Sequence, residues 1–446
     1  YNRVEKRLVN YWNEEIETMD RKDLEEIQLK NAKGMVKRVY DNVEFFRNRY
    51  KEKGLTPDDF KELDDLVKFP LAQKTDLRDN YPFNLYATPL KDVVRIHASS
   101  GTTGKPITGG YTQYDLDKVW TEVMARTCIC AGMNAEDVVQ NAYGYGLFTG
   151  GLGFHYGAEK IGATVVPISG GNTERQLMLM QDFGSTVMTC TPSYAVYLAE
   201  EIKDRGIKDN VKLRIGIYGA EPWTENLREK IESMMGLKAI DIYGLTEIIG
   251  PGVSVNCFEG AKGRGLHIWE DHFLPEILDR ETFERVAPGE KGELIFSTLT
   301  RQASPLVRYR TKDIALLEVD KCPECGRTHA RHSKITGRTD DMLIIRGINV
   351  FPSQIEYVLM KIPGLGGYYE IIVERDILDK LKVRVELTPE RFSDKVKDLE
   401  NLQQEISQKL YNTLQVRCKV ELVEPGTIPR SVGKAKRVID KREKNM

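Results

Sequence analysis

Apolar positions first follow a helical period. Leu8, Tyr11 and Trp12, then Met35, Val36, Val39 and Tyr40, form one stripe on otherwise charged segments across 1–50. These helices are expected to make an outer layer. Thr56 and Pro57 read as the cap and first turn of a short helix, and Val93-Val94-Arg95-Ile96-His97 reads as a strand. From 115 to 242, amphipathic helices (115–132, near 155–161, 173–183, 193–206, 224–235) alternate with short Val, Ile and Thr-rich runs (137–143, 164–168, 186–191, 213–218, 238–242). That rhythm predicts βα crossovers and a buried, largely parallel sheet. Ligands bind such sheets where strand ends meet loops, which makes 143–153, 219–223 and 243–247 candidates for one site.

From about 260 the texture becomes strands and turns, including 293–298, and 314–319 following a turn at 310–313. An antiparallel β subdomain is expected. A polar run, Gly337-Arg338-Thr339-Asp340-Asp341, breaks the pattern. Beyond it a strand (342–345), a helix (352–361), two strands (368–374, 381–387), a long helix (393–414) and a strand (417–423) suffice for a small α+β domain. The fold class is therefore α/β: a large N-terminal domain (1–338) of layered α/β sheets plus a β subdomain, and, beyond the hinge-like run, a small α+β C-terminal domain (339–446). The basic tail 430–446 has the composition of a disordered segment.

Composition narrows the function classes. The 446 residues carry a formal net charge of −2, which gives no electrostatic case for nucleic acid or an anionic membrane as partner. No window approaches the roughly 18 unbroken apolar residues of a membrane span, and the segment from Tyr1 is charged rather than built like a signal peptide. A cytoplasmic location is expected. Seven cysteines, thinly spread, do not make a disulfide framework. Cys128, Cys130, Cys190 and Cys418 sit among apolar neighbours as small core residues. Cys322-Pro323-Glu324-Cys325-Gly326 is instead a knuckle suited to Zn²⁺, which needs two further ligands. Cys257 and His267 are the first candidates, with His329 and His272 in reserve.

Ser99-Ser100-Gly101-Thr102-Thr103-Gly104-Lys105-Pro106 follows the first strand and concentrates hydroxyls and backbone N–H groups, which suits phosphates. It is not a Walker loop, because the glycines are too close and Pro106 bars a helix running back through it. This loop, Tyr243-Gly244-Leu245-Thr246-Glu247, Tyr309-Arg310-Thr311-Lys312-Asp313, the run 337–341 and Pro429-Arg430-Ser431-Val432-Gly433-Lys434 occur in the order of the motifs of the adenylate-forming superfamily, which the chain resembles. The wording of 265–272, 306–311 and 340–356 resembles the phenylacetate–CoA ligase family within it.

That resemblance implies an ATP-dependent, AMP-forming ligase joining an arylacetic acid, phenylacetate foremost, to coenzyme A. A ligase for another aryl acid such as indoleacetate, or an adenylyltransferase without the CoA step, is the second reading. A nucleotide-binding sensor is the third, and retention of Lys434, Glu247 and Asp313 speaks against it. The implied partners are the acid, ATP with Mg²⁺, and CoA; a homodimer is the oligomer entertained. By resemblance, Ser99 through Gly104 hold phosphates, Thr103 and Lys434 act in catalysis, and Glu247 binds Mg²⁺. Tyr243 faces adenine, with Gly219, Ala220, Glu221, Asp241, Ile242, Gly244 and Thr246 around it. Asp313 takes the ribose, Arg338 contacts the nucleotide, Asp340 is the hinge, and Arg346 and Gly347 line the pantetheine tunnel. Tyr145, Phe148, Gly151, Ala220 and Pro222 are the expected walls of the acid pocket.

Overall fold

The computed structural model describes residues 10–99, 106–263, 265–287, 289–335, 337–339, 341–346, 348–375, 379–392, 396–431 and 433–442. Ser100, Gly101, Thr102, Thr103, Gly104, Asp340 and Gly347 lie outside them. Contacts divide the chain into two compact units. The first runs up to Cys190 and adds Asp209–Ala220 and Leu237–Lys334; the second combines Thr191–Lys208, Glu221–Gly236 and the stretch from Ile335 onward.

In the first unit a nine-stranded sheet is parallel across Thr164–Val166, Val138–Asn141, Val187–Cys190, Ile215–Gly219 and Lys238–Leu245, in that spatial order. It then continues antiparallel through Gly250–Val255, Leu266–Ile268, Arg331–His332 and Leu317–Glu318. The change of direction therefore comes at a tight hairpin near 246–249, earlier than the change of texture at 260 suggests. The first antiparallel strands extend the same sheet rather than open a new subdomain. A separate three-stranded antiparallel sheet does form, from Phe273–Leu278, Gly292–Thr298 and Tyr309–Ala315. The segment 310–313 is part of its last strand and not the turn expected from its polar composition.

Among the described residues, the N-terminal segment forms helices Glu14–Glu17, Arg21–Asn42 and Glu44–Glu52. Met35, Val36 and Val39 are buried along one face of the second, as the apolar stripe predicts, and Leu24 and Ala32 are buried with them. The helix expected over 115–132 begins with a wide π-type stretch, Asp115–Trp120, before the α-helix Thr121–Cys130. There Trp120 stacks on Tyr111, ring centres 5.1 Å apart.

In the second unit a four-stranded sheet has the order Cys418–Val423, Asp379–Leu387, Leu365–Arg375, Val438–Asp440. The helix Val396–Leu414 buries Leu402, Ile406, Leu410 and Leu414 in the core this sheet shares with the helix Pro352–Leu359. A short hairpin, Leu343–Ile345 with Ile348–Val350, adds to it. The basic tail is a correction to its composition. Val438–Asp440 pairs in parallel with Ile371–Val373 as an edge strand, because a waiting row of backbone donors and acceptors orders what local composition does not.

Candidate active site

Four groups of residues carry the candidate chemistry, three in the first unit and one in the second. The phosphate-type loop connects two strands, Arg95–Ala98 and Thr108–Tyr111, that pair antiparallel. Its ends are tied together: Ser99 N–H donates to Ile107 O (2.9 Å), and Ile107 N–H donates to Ser99 Oγ (3.0 Å). Beneath the hairpin, buried His97 donates from Nδ1 to Leu147 O at 3.1 Å, and its ring meets Tyr111 and Trp120 edge-on. Burial pushes the His97 imidazole below its ordinary value.

The strand Lys238–Leu245 and the tip beyond it hold the second group. Alternation puts Asp241 and Tyr243 on one face and Ile242 on the other. Tyr243 donates its hydroxyl to Asp313 Oδ2 at 2.6 Å. Asp313 sits nearly buried on Tyr309–Ala315, and that strand is bolted in place by its neighbours. Arg310 grips the Glu293 carboxylate through two bonds (3.0 and 2.7 Å), and Thr311 Oγ1 donates to Leu294 O (2.7 Å). Behind Tyr243, His332 packs edge-on with ring centres 5.1 Å apart. The His332 Nε2 lies 2.6 Å from Ser254 Oγ, and its Nδ1 donates to Ser333 O at 2.8 Å. Burial pushes this imidazole down to about 4. Lys334 Nζ lies 3.9 Å from Asp241 Oδ2. A Cβ on Gly244 would come within 2.0 Å of Gly250 O, so the hairpin closes only with glycine there. Ala220 follows its strand at φ 72°, a left-handed turn uncommon for a residue with a Cβ.

Thr246 is buried, and Glu247 is held at the backbone by Arg301, which the motifs did not single out. The fully buried Arg301 guanidinium donates to Glu247 O (2.7 Å), to Ile248 O and to Gly110 O (3.2 Å), and lies 4.9 Å over the Tyr111 ring. Glu247 also borders a small cleft with Pro82, Tyr86, Thr108 and Ser304.

In the third group, the helix Gly150–Lys160 starts earlier than its sequence pattern suggests. The Asn141 amide donates to Tyr145 Oη and to Gly151 O, both at 2.7 Å, and accepts from Thr189 Oγ1 at 2.9 Å. Tyr145 Oη also lies 3.2 Å from His155 Nδ1, and burial pushes the phenol up to about 12. Tyr145 and Phe148 are half-buried. Also in this unit, the donor atoms of Cys257, His267, Cys322 and Cys325 all lie within 4.8 Å of one another, and the four residues are buried. His329 and His272 are engaged elsewhere: His329 Nε2 meets Ile16 O (2.9 Å), and His272 Nδ1 meets Thr300 Oγ1 (2.7 Å).

The second unit carries Glu221, Pro222, Arg338, Arg346 and Lys434. Pro222 and Lys434 are exposed. Arg338 Nε lies 3.6 Å from Asp341 Oδ2. Arg346, at φ 52° in the hairpin turn, donates to Asp379 O at 2.9 Å. Both Glu221 carboxylate oxygens accept backbone N–H groups, from Ser193 (2.7 Å) and Ala435 (3.0 Å).

Comparison with known proteins gives the family. The chain matches the AMP-binding enzyme family over residues 15–300 and the AMP-binding enzyme C-terminal domain over 347–442. It is an AMP-binding enzyme. It is 49% identical to phenylacetate-coenzyme A ligase of Thermus thermophilus, covering 96% of this chain and 99% of that one. It is 47% identical to the enzyme of the same name from Escherichia coli, covering 96% and 97%. A solved structure of 2-hydroxyisobutyryl-CoA ligase in complex with 2-HIB-AMP superposes with a TM-score of 0.91 at 30% identity, over 97% of this chain and 93% of that one. Within the AMP-binding enzymes the chain belongs to the phenylacetate–coenzyme A ligase family. Among the described residues, no helix is long and apolar enough to cross a membrane.

Proposed function

We propose that the protein joins phenylacetate to coenzyme A through an acyl-adenylate, consuming ATP and releasing pyrophosphate and AMP. The observation that carries this reading is the 49% identity, over nearly the full length of both chains, to a phenylacetate-coenzyme A ligase. The Tyr243–Asp313 contact of 2.6 Å supports the nucleotide half of it. The base and ribose of one nucleoside are adjacent, so their recognition groups must be adjacent too.

In the first half-reaction a carboxylate oxygen of the acid attacks the α-phosphorus, the bond to the bridging oxygen breaks, and pyrophosphate leaves. The trigonal-bipyramidal phosphorus gathers negative charge that preplaced donors and cations must meet. Lys434 supplies the cation, while the hydroxyls and N–H groups of Ser99, Ser100, Thr102, Thr103 and Gly104 receive the β- and γ-phosphates. The carboxylate of Glu247 is a hard oxygen donor that fits Mg²⁺, and that ion, when bound, offsets phosphate charge. Tyr243, Gly219, Ala220 and Asp241 take the adenine, Asp313 accepts from the ribose hydroxyls, and Arg338 contacts the nucleotide. Tyr145, Phe148 and Gly151 receive the aryl group. In the second half-reaction the CoA thiolate attacks the acyl carbon, the acyl–oxygen bond breaks, and AMP leaves with that oxygen. Arg346 and Gly347 flank the incoming thiol arm, and Asp340 is the hinge between the two steps. Use of ATP and CoA as co-substrates fits a cytoplasmic enzyme.

Three thiols and one imidazole, buried and converging, are a fitting donor set for tetrahedral Zn²⁺. We assign this cluster a structural role, because it is built into the knuckle that holds the N-terminal helix.

A panel of phenylacetate, indoleacetate, benzoate and a fatty acid tests the substrate. The expected result is the highest kcat/KM for phenylacetate, with AMP and the CoA thioester formed in equal amounts. A higher value for another acid reassigns the substrate, and AMP formation without thioester overturns the ligase reading.

A further inference from the structure

The resemblance assigns Glu221 to the adenine slot, yet both oxygens of its carboxylate are committed to backbone groups of its own unit. The helix Pro192–Asp204 is capped by Thr191, and Ser193 N–H is one of the first-turn donors with no acceptor inside the helix. Glu221 Oε1 accepts that N–H at 2.7 Å, while Oε2 accepts the N–H of Ala435 at 3.0 Å. Ala435 directly follows Lys434. On the other side of Lys434, Gly433 O accepts from Thr191 Oγ1 at 3.1 Å and from Ser431 Oγ at 2.9 Å. Three residues after Lys434, Arg437 lies 4.3 Å over the Tyr369 ring and donates to Ser193 Oγ at 3.4 Å. The backbone on both sides of an exposed lysine is thus anchored to one helix start. Gly433, immediately before the lysine, has wide backbone freedom unless something removes it.

We infer that Glu221 and Thr191 clamp the chain on either side of Lys434, and that Glu221 is a positioning residue for adenylate formation. The inference rests on the proposed function, since it needs Lys434 to serve the first half-reaction. A carboxylate can accept two N–H groups from opposite sides at once. An amide keeps only one oxygen for them and turns a donor toward the other.

The test reads the two half-reactions separately on the full chain: phenylacetate-dependent ATP–pyrophosphate exchange, and thioester formation from supplied phenylacetyl-adenylate and CoA. Lys434→Ala is the reference. Loss of exchange with thioester formation retained upholds the role of Lys434, whereas unchanged exchange overturns the proposed role of that lysine and the clamp with it. Given the first outcome, Glu221→Ala is expected to lower the kcat of exchange about 10- to 100-fold, the effect of misplacing a catalytic group by about an ångström. The KM for ATP and the rate of thioester formation should stay within about twofold. A raised KM for ATP at unchanged kcat would mean that Glu221 lines the adenine slot instead, and an equal fall in both half-reactions would mean a structural role only. Either result, or no change, overturns the clamp. Glu221→Gln, which changes size least, is read by the same criteria if Glu221→Ala is poorly folded, and is expected to show a smaller loss with the same split.

Discussion

Tyr243 and Asp313 lie 70 positions apart in sequence and share one hydrogen bond. A hydrogen bond to a charged group contributes about 1.5–3 kcal/mol, and losing the phenol costs Asp313 part of its orientation. Tyr243→Phe is therefore expected to raise the KM for ATP about 10-fold with little change in kcat; steady-state kinetics at saturating acid and CoA check it. His332 supports the same ring from behind and makes a second prediction. Burial holds its folded value near 4 against an ordinary 6.5, so between those values the unfolded chain binds the extra proton. The stability due to neutral His332 is complete above about pH 6.5 and is lost as pH falls through 4, on the order of 3 kcal/mol. Urea melts across this window should show the slope in the native protein and a shallower one in His332→Asn. The motif residues were legible in sequence because their types and order are distinctive. His332, Arg301 and His97 were not, since each takes its role from partners far along the chain, and a single histidine or arginine carries no signal of what it will touch.

At the scale of elements, the cysteine knuckle is where sequence reading reached furthest. The Cys322–Cys325 spacing points to a metal, and Cys257 and His267 are the two additional donors that the fold brings beside it. What the pattern hid is the knuckle's mechanical connection. Arg327 donates to the buried Glu17 carboxylate at 2.7 Å and to Asn10 O at 2.8 Å, and Tyr11 Oη donates to Cys325 O at 2.6 Å. Breaking a buried ion pair by removing one partner costs about 3–5 kcal/mol, so the knuckle and the N-terminal turn should lose order together. Cys322→Ser is expected to lower bound zinc to near zero and the melting temperature by about 5–10 °C, with kcat for the remaining folded enzyme little changed. Elemental analysis alongside calorimetry checks it, and full zinc content in the variant contradicts the assignment. The edge strand Val438–Asp440 was illegible for the opposite reason. Two apolar residues and an aspartate have no period of their own and become a strand only through pairing with Ile371–Val373.

Over the whole molecule, the alternation of amphipathic helices with Val and Ile-rich runs was enough to give a buried parallel sheet, because both faces of such strands must be apolar. The point where the sheet reverses direction was not. It depends on the backbone of Gly244 and Gly250 meeting in a hairpin, and a pattern of side chains says little about that. Nor did the pattern show that Thr191–Lys208 and Glu221–Gly236 group with the C-terminal stretch, which is where the anchors around Lys434 originate. The proposed function has one acid pass through an adenylate on its way to the thiol. Phenylacetate labelled with ¹⁸O in both carboxylate oxygens follows that passage directly, because the oxygen that attacks phosphorus stays with the nucleotide when the thioester forms. Mass spectrometry of the products after one turnover with ATP and CoA should find one ¹⁸O in AMP and one in the thioester. Label in inorganic phosphate, or AMP free of label, would contradict an acyl-adenylate intermediate.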